Sequence, residues 1–403
     1  MPKPPFDTPY NPENPLYKLT DDQLTELGEK FDALHDEIFN DLGDVDANYI
    51  RNMIKLQRRL IAASRAVLLF SRYKPAWLLG TAGLSVAKIL ENMEIGHNVM
   101  HGQWDWMNDP NIHSSTWDWD TASPAAAWKH SHNYVHHTFT NVIGKDKDVG
   151  YEIMRIDPRQ PWKPSFLLQP FYNLLLMAFF EWGVAVHDLD FSAVNKGQKS
   201  RKQFNDEAKS IGIKGLRQIV KDYLVYPGLS AAASGPTHAK AGFKSAFWAD
   251  FTANIVRNVW SNAIIFCGHF PDQTFVFTED EVENESRGAW YVRQLIGAAN
   301  ISGSPAFHVM SGNLSFQVEH HLYPDMPSSR YQQIAPKVKA ICEEYGLPYN
   351  TGPMRKQWGG VQRTILRLAF PGGKPRRKPG AFEFSEAERA ELERRREMVP
   401  AFP

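Results

Sequence analysis

The sequence has only two cysteines among 403 residues, Cys267 and Cys342, and they do not form a Cys-x-x-Cys pair. This scarcity excludes a disulfide framework, a zinc ribbon and a cysteine-ligated cluster, and it favours a reducing compartment. An excess of charge is also lacking, because 45 basic residues balance 45 acidic ones. A nucleic-acid partner is therefore not expected. No apolar run of signal-peptide length follows the first residues, so we expect the N-terminal segments to stay in the cytoplasm.

Long, clean hydrophobic runs are scarce as well, and the mean hydropathy of −0.42 is low for an integral membrane protein. A membrane span must therefore be argued from particular segments. Residues 165–186 are the best candidate, since they have about the 20 residues that a bilayer demands and include one charged residue, Glu181. Residues 246–270 are long enough but carry Asp250 and Arg257, which we expect to face the protein interior or the membrane interface.

Helical periodicity and charge divide the chain into three parts. Thr20 and Gln23 form a capping-box pattern, and apolar residues follow at helical spacing, which predicts an amphipathic helix. We assign residues 1–58 to an N-terminal tail with amphipathic helices and residues 59–345 to the main domain. Residues 346–403 are predicted to form a charged tail.

Histidine is abundant, with 14 residues, and several of them form clusters. Histidines four residues apart lie on one face of a helix, where two imidazoles can bind one metal ion. An adjacent histidine lies about 100° further round the helix and can reach a second ion. Three such clusters are hard to explain by packing, because a buried unpaired imidazole is costly, and nitrogen ligands suit iron, zinc or copper. The clusters are His97 with His101; His132 with His136 and His137; and Gln317 with His320 and His321.

His269 ends an apolar stretch and is a further candidate ligand, with Asn262 seven residues earlier on the same helical face. The alternative is an interfacial histidine at a helix end. Asp146 and Asp148 could support ligand histidines, although an ordinary loop after a helix explains them equally well. The histidines outside this spacing are predicted to be structural or surface residues: His35, His113, His130, His187, His238 and His308.

Three motifs resemble those of the membrane fatty-acid desaturase family. They are His97-x-x-x-His101, WKHSHNYVHHTFTN at residues 128–141, and FQVEHHLYPDMP at residues 316–327. The glutamine that opens the third motif is similar to that of front-end and linoleoyl-CoA-type desaturases. The resemblance implies an all-α fold in which a membrane-embedded four-helix anchor supports a cytosolic helical cap with a histidine-ligated di-iron site. It also favours His269 as a ligand, and it implies a multi-pass membrane protein whose histidine site and both termini face the cytoplasm.

The function that this resemblance implies is a fatty-acyl desaturase that uses two iron ions, dioxygen and two electrons. The acyl group would be carried on CoA, a carrier protein or a lipid. Residues 370–373, FPGG, lack the histidine of the family's fused haem motif, so a separate donor such as a ferredoxin or a reductase is expected. A basic helix with Arg355, Lys356, Arg363 and Arg367 could dock an acidic ferredoxin or could be an ordinary solvated face.

Three alternatives remain open on sequence grounds. A membrane hydroxylase or ketolase would insert oxygen into the same kind of substrate. A non-enzymatic metal-binding membrane protein would consume no oxygen. A soluble ferritin-like di-iron protein needs two Glu-x-x-His motifs, and only Glu94 with His97 fits.

Overall fold

Helices dominate the part of the chain that the structure, a computed structural model, describes: residues 14–372. This confirms the predicted helical class, with one small sheet added. Residues 1–13 and most of the predicted charged tail lie outside the described residues. The three domain boundaries stay predictions.

The main helices follow one another as α1 (Asp21–Phe39), α2 (Asp44–Leu68), α3 (Lys74–Ile89), α4 (Gln169–Ala178), α5 (Phe180–His187), α6 (Arg201–Val220), α7 (Tyr226–Ala233), α8 (Ala239–His269), α9 (Arg287–Gly297), α10 (Gln317–Leu322), α11 (Tyr331–Glu344) and α12 (Met354–Leu368). The π-helical segments are Leu90–His97, Lys129–His136 and Lys221–Val225. Short α-helical segments are Asn98–Met100, Ala125–Trp128, His137–Phe139, Phe191–Asn195 and Pro305–Met310. The 3-10 turns are Pro15–Lys18, Asp105–Met107, Val149–Glu152, Pro164–Leu168, Glu279–Val282, Leu314–Phe316 and Ser328–Arg330.

The predicted N-terminal amphipathic helix is present as α1, and its capping box is formed as expected. The Thr20 backbone N–H donates to Gln23 Oε1 at 2.9 Å, and the Gln23 backbone N–H donates to Thr20 Oγ1 at 3.2 Å. The apolar face of α1 is buried against α9 and α11. Burial of this face holds the N-terminal part on the region that carries the histidines.

The backbones of α1 and α9 come very close together at Gly288. A Cβ atom at this position would lie 1.8 Å from the carbonyl oxygen of Leu24. Only glycine permits this approach, because any side chain would collide with the backbone of α1. Further along α9, Gln294 Nε2 donates to the carbonyl oxygen of His137 at 3.1 Å, so α9 connects α1 to a histidine segment.

The helices α2, α3, α7 and α8 pack together and position two histidine clusters at their ends. Helix α3 continues directly into Leu90–His97, and α8 ends at His269. Asp250 and Arg257 on α8 are 0% and 2% exposed. Asp250 pairs with Arg65, and Arg257 pairs with Glu181 at 2.6 Å. The prediction that these two charged side chains face the interior is confirmed.

Residues 165–186 do not form the single spanning helix that the sequence predicts. They form a 3-10 turn followed by α4 and α5, with a break at Phe179, where φ is −119° and ψ is 37°. Asn258 on α8 stabilises the break, because its Nδ2 donates to the carbonyl oxygen of Ala178 at 2.9 Å and its Oδ1 accepts from the Glu181 N–H at 3.4 Å. Among the described residues, no helix is both long enough and apolar enough to cross a bilayer. The single helix expected over residues 165–186 is therefore not formed.

The small sheet consists of two parallel strands, β1 (Asn300–Ser302) and β2 (Thr351–Pro353). The sheet brings α12 next to the end of α8, because Gln357 Nε2 on α12 donates to the carbonyl oxygen of Asn300 at 2.7 Å. The neighbouring Ala299 N–H donates to the carbonyl oxygen of Gly268 at 2.8 Å. These bonds fix the backbone beside His269.

Candidate metal centre

Three histidines of the first two clusters lie on π-helical backbone, a feature that the sequence did not reveal. His97 ends the π-helical segment Leu90–His97, and His132 and His136 lie in the segment Lys129–His136. A π-helical turn contains more residues than an α-helical turn and often occurs at functional sites. Four-residue spacing alone predicted the common face but not the widened turns.

The third cluster and His269 complete the site from the other side. Helix α10 is buried along its whole length and carries Gln317, His320 and His321. His269 is the last residue of α8 and is 3% exposed. Its Nε2 lies 3.4 Å from His321 Nε2 and 3.0 Å from Gln317 Nε2. His269 therefore lies with the histidine clusters and not apart from them as an interfacial histidine.

All eight predicted ligand histidines converge on one place, where they form two adjacent groups. The first group is His97, His101, His132 and His320, and the second is His136, His269 and His321. Within each group, one ring nitrogen of each histidine lies within 4.8 Å of those of the others. The ring of His137 lies between the groups, 4.7 Å from that of His101 and 4.5 Å from that of His321. Each group could hold a metal ion.

The nitrogen atoms of these rings fit metal ligation, because many of them have no hydrogen-bond partner among the described residues. Burying an imidazole nitrogen without a partner costs free energy, and a bound metal ion removes that cost. The unpartnered atoms are His101 Nε2, His136 Nε2, both ring nitrogens of His137, His269 Nδ1 and His320 Nε2.

Burial also keeps most of these imidazoles in the neutral form that binds a metal. It lowers the pKa of His97 to about 3, and the nearby His132 adds to the effect. Burial and neighbouring histidines likewise lower the pKa of His132, and they place the pKa values of five others well below the usual range: His101, His137, His269, His320 and His321. His136 differs, since burial lowers its pKa but the nearby carboxylates of Asp146 and Asp148 together raise it above the usual value.

Two aspartates lie beside the second cluster, and their supporting role stays a prediction. Asp146 Oδ2 lies 3.0 Å from His136 Nδ1, and Asp148 Oδ2 lies 3.5 Å from the same nitrogen. Asp148 also lies 3.8 Å from His132 Nδ1. A carboxylate at Nδ1 fixes the ring orientation and leaves Nε2 free to bind a metal.

Other supporting residues were missed by sequence reasoning, because no spacing rule connects them with the histidines they contact. Asn98 Oδ1 lies 3.0 Å from His97 Nδ1. The hydroxyl of Tyr331 lies 3.2 Å from His320 Nδ1, and Gln294 Oε1 lies 3.1 Å from His321 Nδ1. Each contact orients its ring as the aspartates orient His136.

Asn262 is fully buried, but no hydrogen bond joins it to a histidine in the part of the chain that the structure describes. Its supporting role stays a prediction. Glu94 does not join either group, because its carboxylate accepts hydrogen bonds from Tyr49 at 2.7 Å and Asn313 at 3.0 Å. Burial raises the pKa of Glu94 to about 8. The ferritin-like alternative, which needs Glu94 as a ligand, gains no support.

The histidines that the sequence set aside lie apart from the two groups, except for His187. Its Nε2 lies 3.1 Å from Asp148 Oδ1, so it contacts the carboxylate that supports His136 and His132. The prediction that His187 is only a structural or surface residue missed this contact. Because His187 and Asp148 belong to different segments, sequence spacing gave no signal for their contact.

A cavity opens onto the histidines. His97, His132, His136 and His269 form one side of it. Its apolar and aromatic wall includes Trp119, Trp128, Tyr151, Phe180, Ile265 and Phe270. Such a cavity can hold an apolar ligand against the metal groups.

Comparison with known proteins agrees with this geometry. The model of the family described as "Fatty acid desaturase" matches residues 75–353. An "NADPH-dependent stearoyl-CoA 9-desaturase" of Mycobacterium tuberculosis is 45% identical over 353 residues, which cover 88% of this chain and 82% of that protein. An "sn-1 linoleoyl-lipid 6-desaturase" of Synechocystis sp. is 25% identical over 337 residues, which cover 82% of this chain and 90% of that protein. The chain belongs to the fatty acid desaturase family, and it is an oxidoreductase that introduces a double bond into a fatty-acyl chain.

Proposed function

We propose that this desaturase acts on a long-chain acyl-CoA at a pair of iron ions, with dioxygen as co-substrate and electrons from a separate redox protein. The observation that carries the proposal is the pair of adjacent imidazole groups beside an apolar cavity. Removing hydrogen from an unactivated methylene requires an oxidant that no side chain provides, and an iron pair supplies it when bound.

The ligand sets follow the two groups. His97, His101, His132 and His320 would hold one ion, while His136, His269 and His321 would hold the other. His137 lies close enough to both groups to complete either. Nitrogen ligation excludes magnesium and calcium, and membership of the desaturase family favours iron over zinc.

The residues of this chain would contribute positioning. The contacts at Nδ1 from Asp146, Tyr331 and Gln294 hold three rings with Nε2 directed at the metal positions. The cavity excludes water and holds the acyl chain in one orientation, which determines the carbons that meet the metal pair. The neutral imidazoles remain available as ligands at physiological pH because burial lowers their pKa values.

The substrate is proposed to be stearoyl-CoA, with the double bond introduced at position 9. This proposal is supported by the name of the Mycobacterium tuberculosis relative, which is 45% identical over most of both chains. The relative named for a lipid-linked substrate is 25% identical. A lipid-linked acyl group is therefore the second candidate.

We propose that the electron donor is an acidic protein such as a ferredoxin, reduced by NADPH through a reductase. The name of the Mycobacterium tuberculosis relative includes NADPH dependence. All four charged residues of α12, Arg355, Lys356, Arg363 and Arg367, are basic and exposed. Opposite charge accelerates the encounter with an acidic partner.

We also propose that the protein is embedded in a membrane through the α2, α3, α7 and α8 group and the neighbouring α4 to α6. Contiguous exposed apolar surface of this kind marks a membrane or protein contact. The site and both termini would then face the cytoplasm. The exposed apolar side chains include Leu168, Phe171, Leu174, Phe179, Leu216, Leu224, Leu229 and Trp248.

Membrane embedding is tested with cysteines placed one at a time at Phe171 and Leu224 in intact membranes. Both should resist a water-soluble thiol reagent that labels a cysteine at the exposed Lys339 on α11. Rapid labelling at all three positions would contradict membrane embedding.

The main test is expression with a ferredoxin and its NADPH reductase in a host that lacks desaturases. We expect oleoyl products located by mass spectrometry, and about two iron atoms per purified chain. A hydroxylated product would indicate a hydroxylase instead. Zinc at one atom per chain, in protein made with iron available, would exclude the di-iron site.

A further inference from the structure

We infer that the ion pair between Glu181 and Arg257, together with Asn258, closes the acyl cavity at the end away from the histidines and sets the longest acyl chain that the enzyme accepts. The inference rests on the proposed function, in which the cavity holds the acyl chain.

Three separate elements place polar residues at the same end of the cavity. On α8, Asn258 lies eleven residues before His269, which corresponds to about 16 Å along the helix. On α5, Glu181 lies six residues before His187, or about 9 Å. Asn92 lies five residues before His97 on the first π-helical segment. All three polar side chains line the cavity.

Hydrogen bonds hold this polar end in place. Arg257 Nη2 lies 2.6 Å from Glu181 Oε1 and donates to Asn258 Oδ1 at 3.1 Å. Asn258 Nδ2 in turn donates to the carbonyl oxygen of Ala178 at the break between α4 and α5. Glu181 and Arg257 are also buried, with side chains 8% and 2% exposed. A side chain held by this many contacts does not swing aside as a solvated one would.

The protein behind this end is also polar along α8. One helical turn before Asn258, Asn254 Nδ2 donates to Asp222 Oδ2 at 3.1 Å. Asp222 also pairs with Lys88 at 2.7 Å. An acyl chain that reached beyond the first ion pair would have to separate buried charges, which is strongly unfavourable. The charged layer therefore acts as a fixed stop for the methyl end of the chain.

The test compares acyl-CoA substrates of increasing length, supplied together, in membranes with the ferredoxin and reductase. The double variant Glu181→Ala with Arg257→Leu removes both charges and opens space. The ratio to measure is desaturated product from an acyl-CoA two carbons longer than stearoyl-CoA, divided by that from stearoyl-CoA. We expect this ratio to rise about tenfold in the variant, which is the discrimination typical of small changes in pocket length. Binding of the two acyl-CoAs to the purified protein, measured as a ratio of Kd values, should shift in the same direction.

Two matched variants separate this effect from a loosened fold. Exchanging the two residues, Glu181→Arg with Arg257→Glu, keeps both the ion pair and the combined side-chain volume, and it should keep the wild-type preference for stearoyl-CoA. Arg330→Leu with Asp46→Ala removes another ion pair, 2.7 Å apart and outside the cavity, and should also leave the preference unchanged. An equal shift toward long chains in either control would overturn the inference.

The remaining outcomes distinguish the inference from the function on which it rests. A wild-type enzyme that desaturates no acyl-CoA would refute the proposed substrate. A wild-type enzyme that desaturates stearoyl-CoA, together with an unchanged length preference in the Glu181→Ala, Arg257→Leu variant, would refute the stop alone.

Discussion

Asp146 Oδ2 lies 3.0 Å from His136 Nδ1, and both side chains are almost completely buried. Asp146 also accepts a hydrogen bond from the Asn141 N–H at 2.8 Å and one from the Asp148 N–H at 2.9 Å. The carboxylate is thus fixed by the loop that follows the second histidine segment. A carboxylate in this position would orient His136 and make its Nε2 a stronger metal ligand.

The first prediction concerns this contact. Asp146→Asn keeps the size of the side chain but removes its charge, so metal affinity should fall by about 10- to 100-fold, as is usual for such supporting residues. Iron content after dialysis against a graded chelator measures the change. Asp325→Asn, which alters a carboxylate beside His35 on the surface, serves as the control and should retain iron. Unchanged iron affinity in Asp146→Asn would show that the contact does not support the metal.

The second prediction concerns Gln317, whose Nε2 lies 3.0 Å from His269 Nε2 and which lines the cavity. If the amide only orients its neighbour, Gln317→His should keep iron and desaturation. If the amide contacts the acyl chain, KM for the acyl-CoA should rise while iron content stays normal. We expect the second result, because the amide faces the cavity. Measuring KM and iron content on the same preparation distinguishes the two roles.

The sequence predicted which histidines come together because local spacing carries that information. His97 shares a helical face with His101, and His132 shares one with His136, because each pair is four residues apart in the sequence. The partners of their rings were not predictable in this way. Tyr331 and Gln294 reach His320 and His321 from other helices, and such contacts depend on packing rather than on spacing.

The fold was predicted in class but not in its irregular parts. The apolar run at residues 165–186 reads as one helix by hydropathy. The structure divides it at Phe179, because Asn258 on a distant helix provides the hydrogen bonds that a break requires. Propensity within a segment cannot reveal a polar partner that is about 80 residues away in sequence.

The third prediction concerns stability. Gly288→Ala would place a Cβ 1.8 Å from the carbonyl oxygen of Leu24, so α1 and α9 would have to separate. We expect a loss of about 1 to 3 kcal/mol or more in the free energy of unfolding, measured by thermal melting. Gly212→Ala on α6, where nothing lies within 4 Å of the new Cβ, should be neutral or slightly stabilising. Equal melting temperatures for the two variants would contradict the close approach.

The fourth prediction concerns pH and His35, which lies 3.3 Å from Asp325. The hydrogen bond to Asp325 raises the pKa of His35 above 6.5, although partial burial opposes it. Because the pKa of His35 is raised in the folded state, the stabilisation from the His35–Asp325 pair is fully present below pH 6.5. It is lost as the pH rises through the pKa of His35 in the folded protein. Because the carboxylate is half exposed, the effect should stay below about 1 kcal/mol. His35→Gln should therefore lower the melting temperature more at pH 6 than at pH 9, and an equal loss at both would refute the ion pair.

The fifth prediction concerns the division of the histidines. Alanine at a ligand removes one nitrogen from a metal ion, whereas alanine at His113 or His238 removes a group that lies outside both metal groups. Iron content and desaturation should be lost in the first set and retained in the second. His269→Ala should behave as a ligand variant, since its ring lies 4.8 Å from those of His136 and His321. The remaining ligand variants are His97, His101, His132, His136, His137, His320 and His321 to alanine.

His187→Ala belongs to neither set and gives the sharpest test of the geometry. Its Nε2 contacts Asp148, which supports His132 and His136 from the other side. We expect iron to bind more weakly but not to be lost, and desaturation to fall in proportion to the iron content. Adding excess ferrous iron should restore activity in His187→Ala, because all ligand nitrogens remain. It should not restore activity in His136→Ala or His320→Ala, where a ligand is missing. Near-normal desaturation in either of the last two variants would contradict the metal centre as a whole.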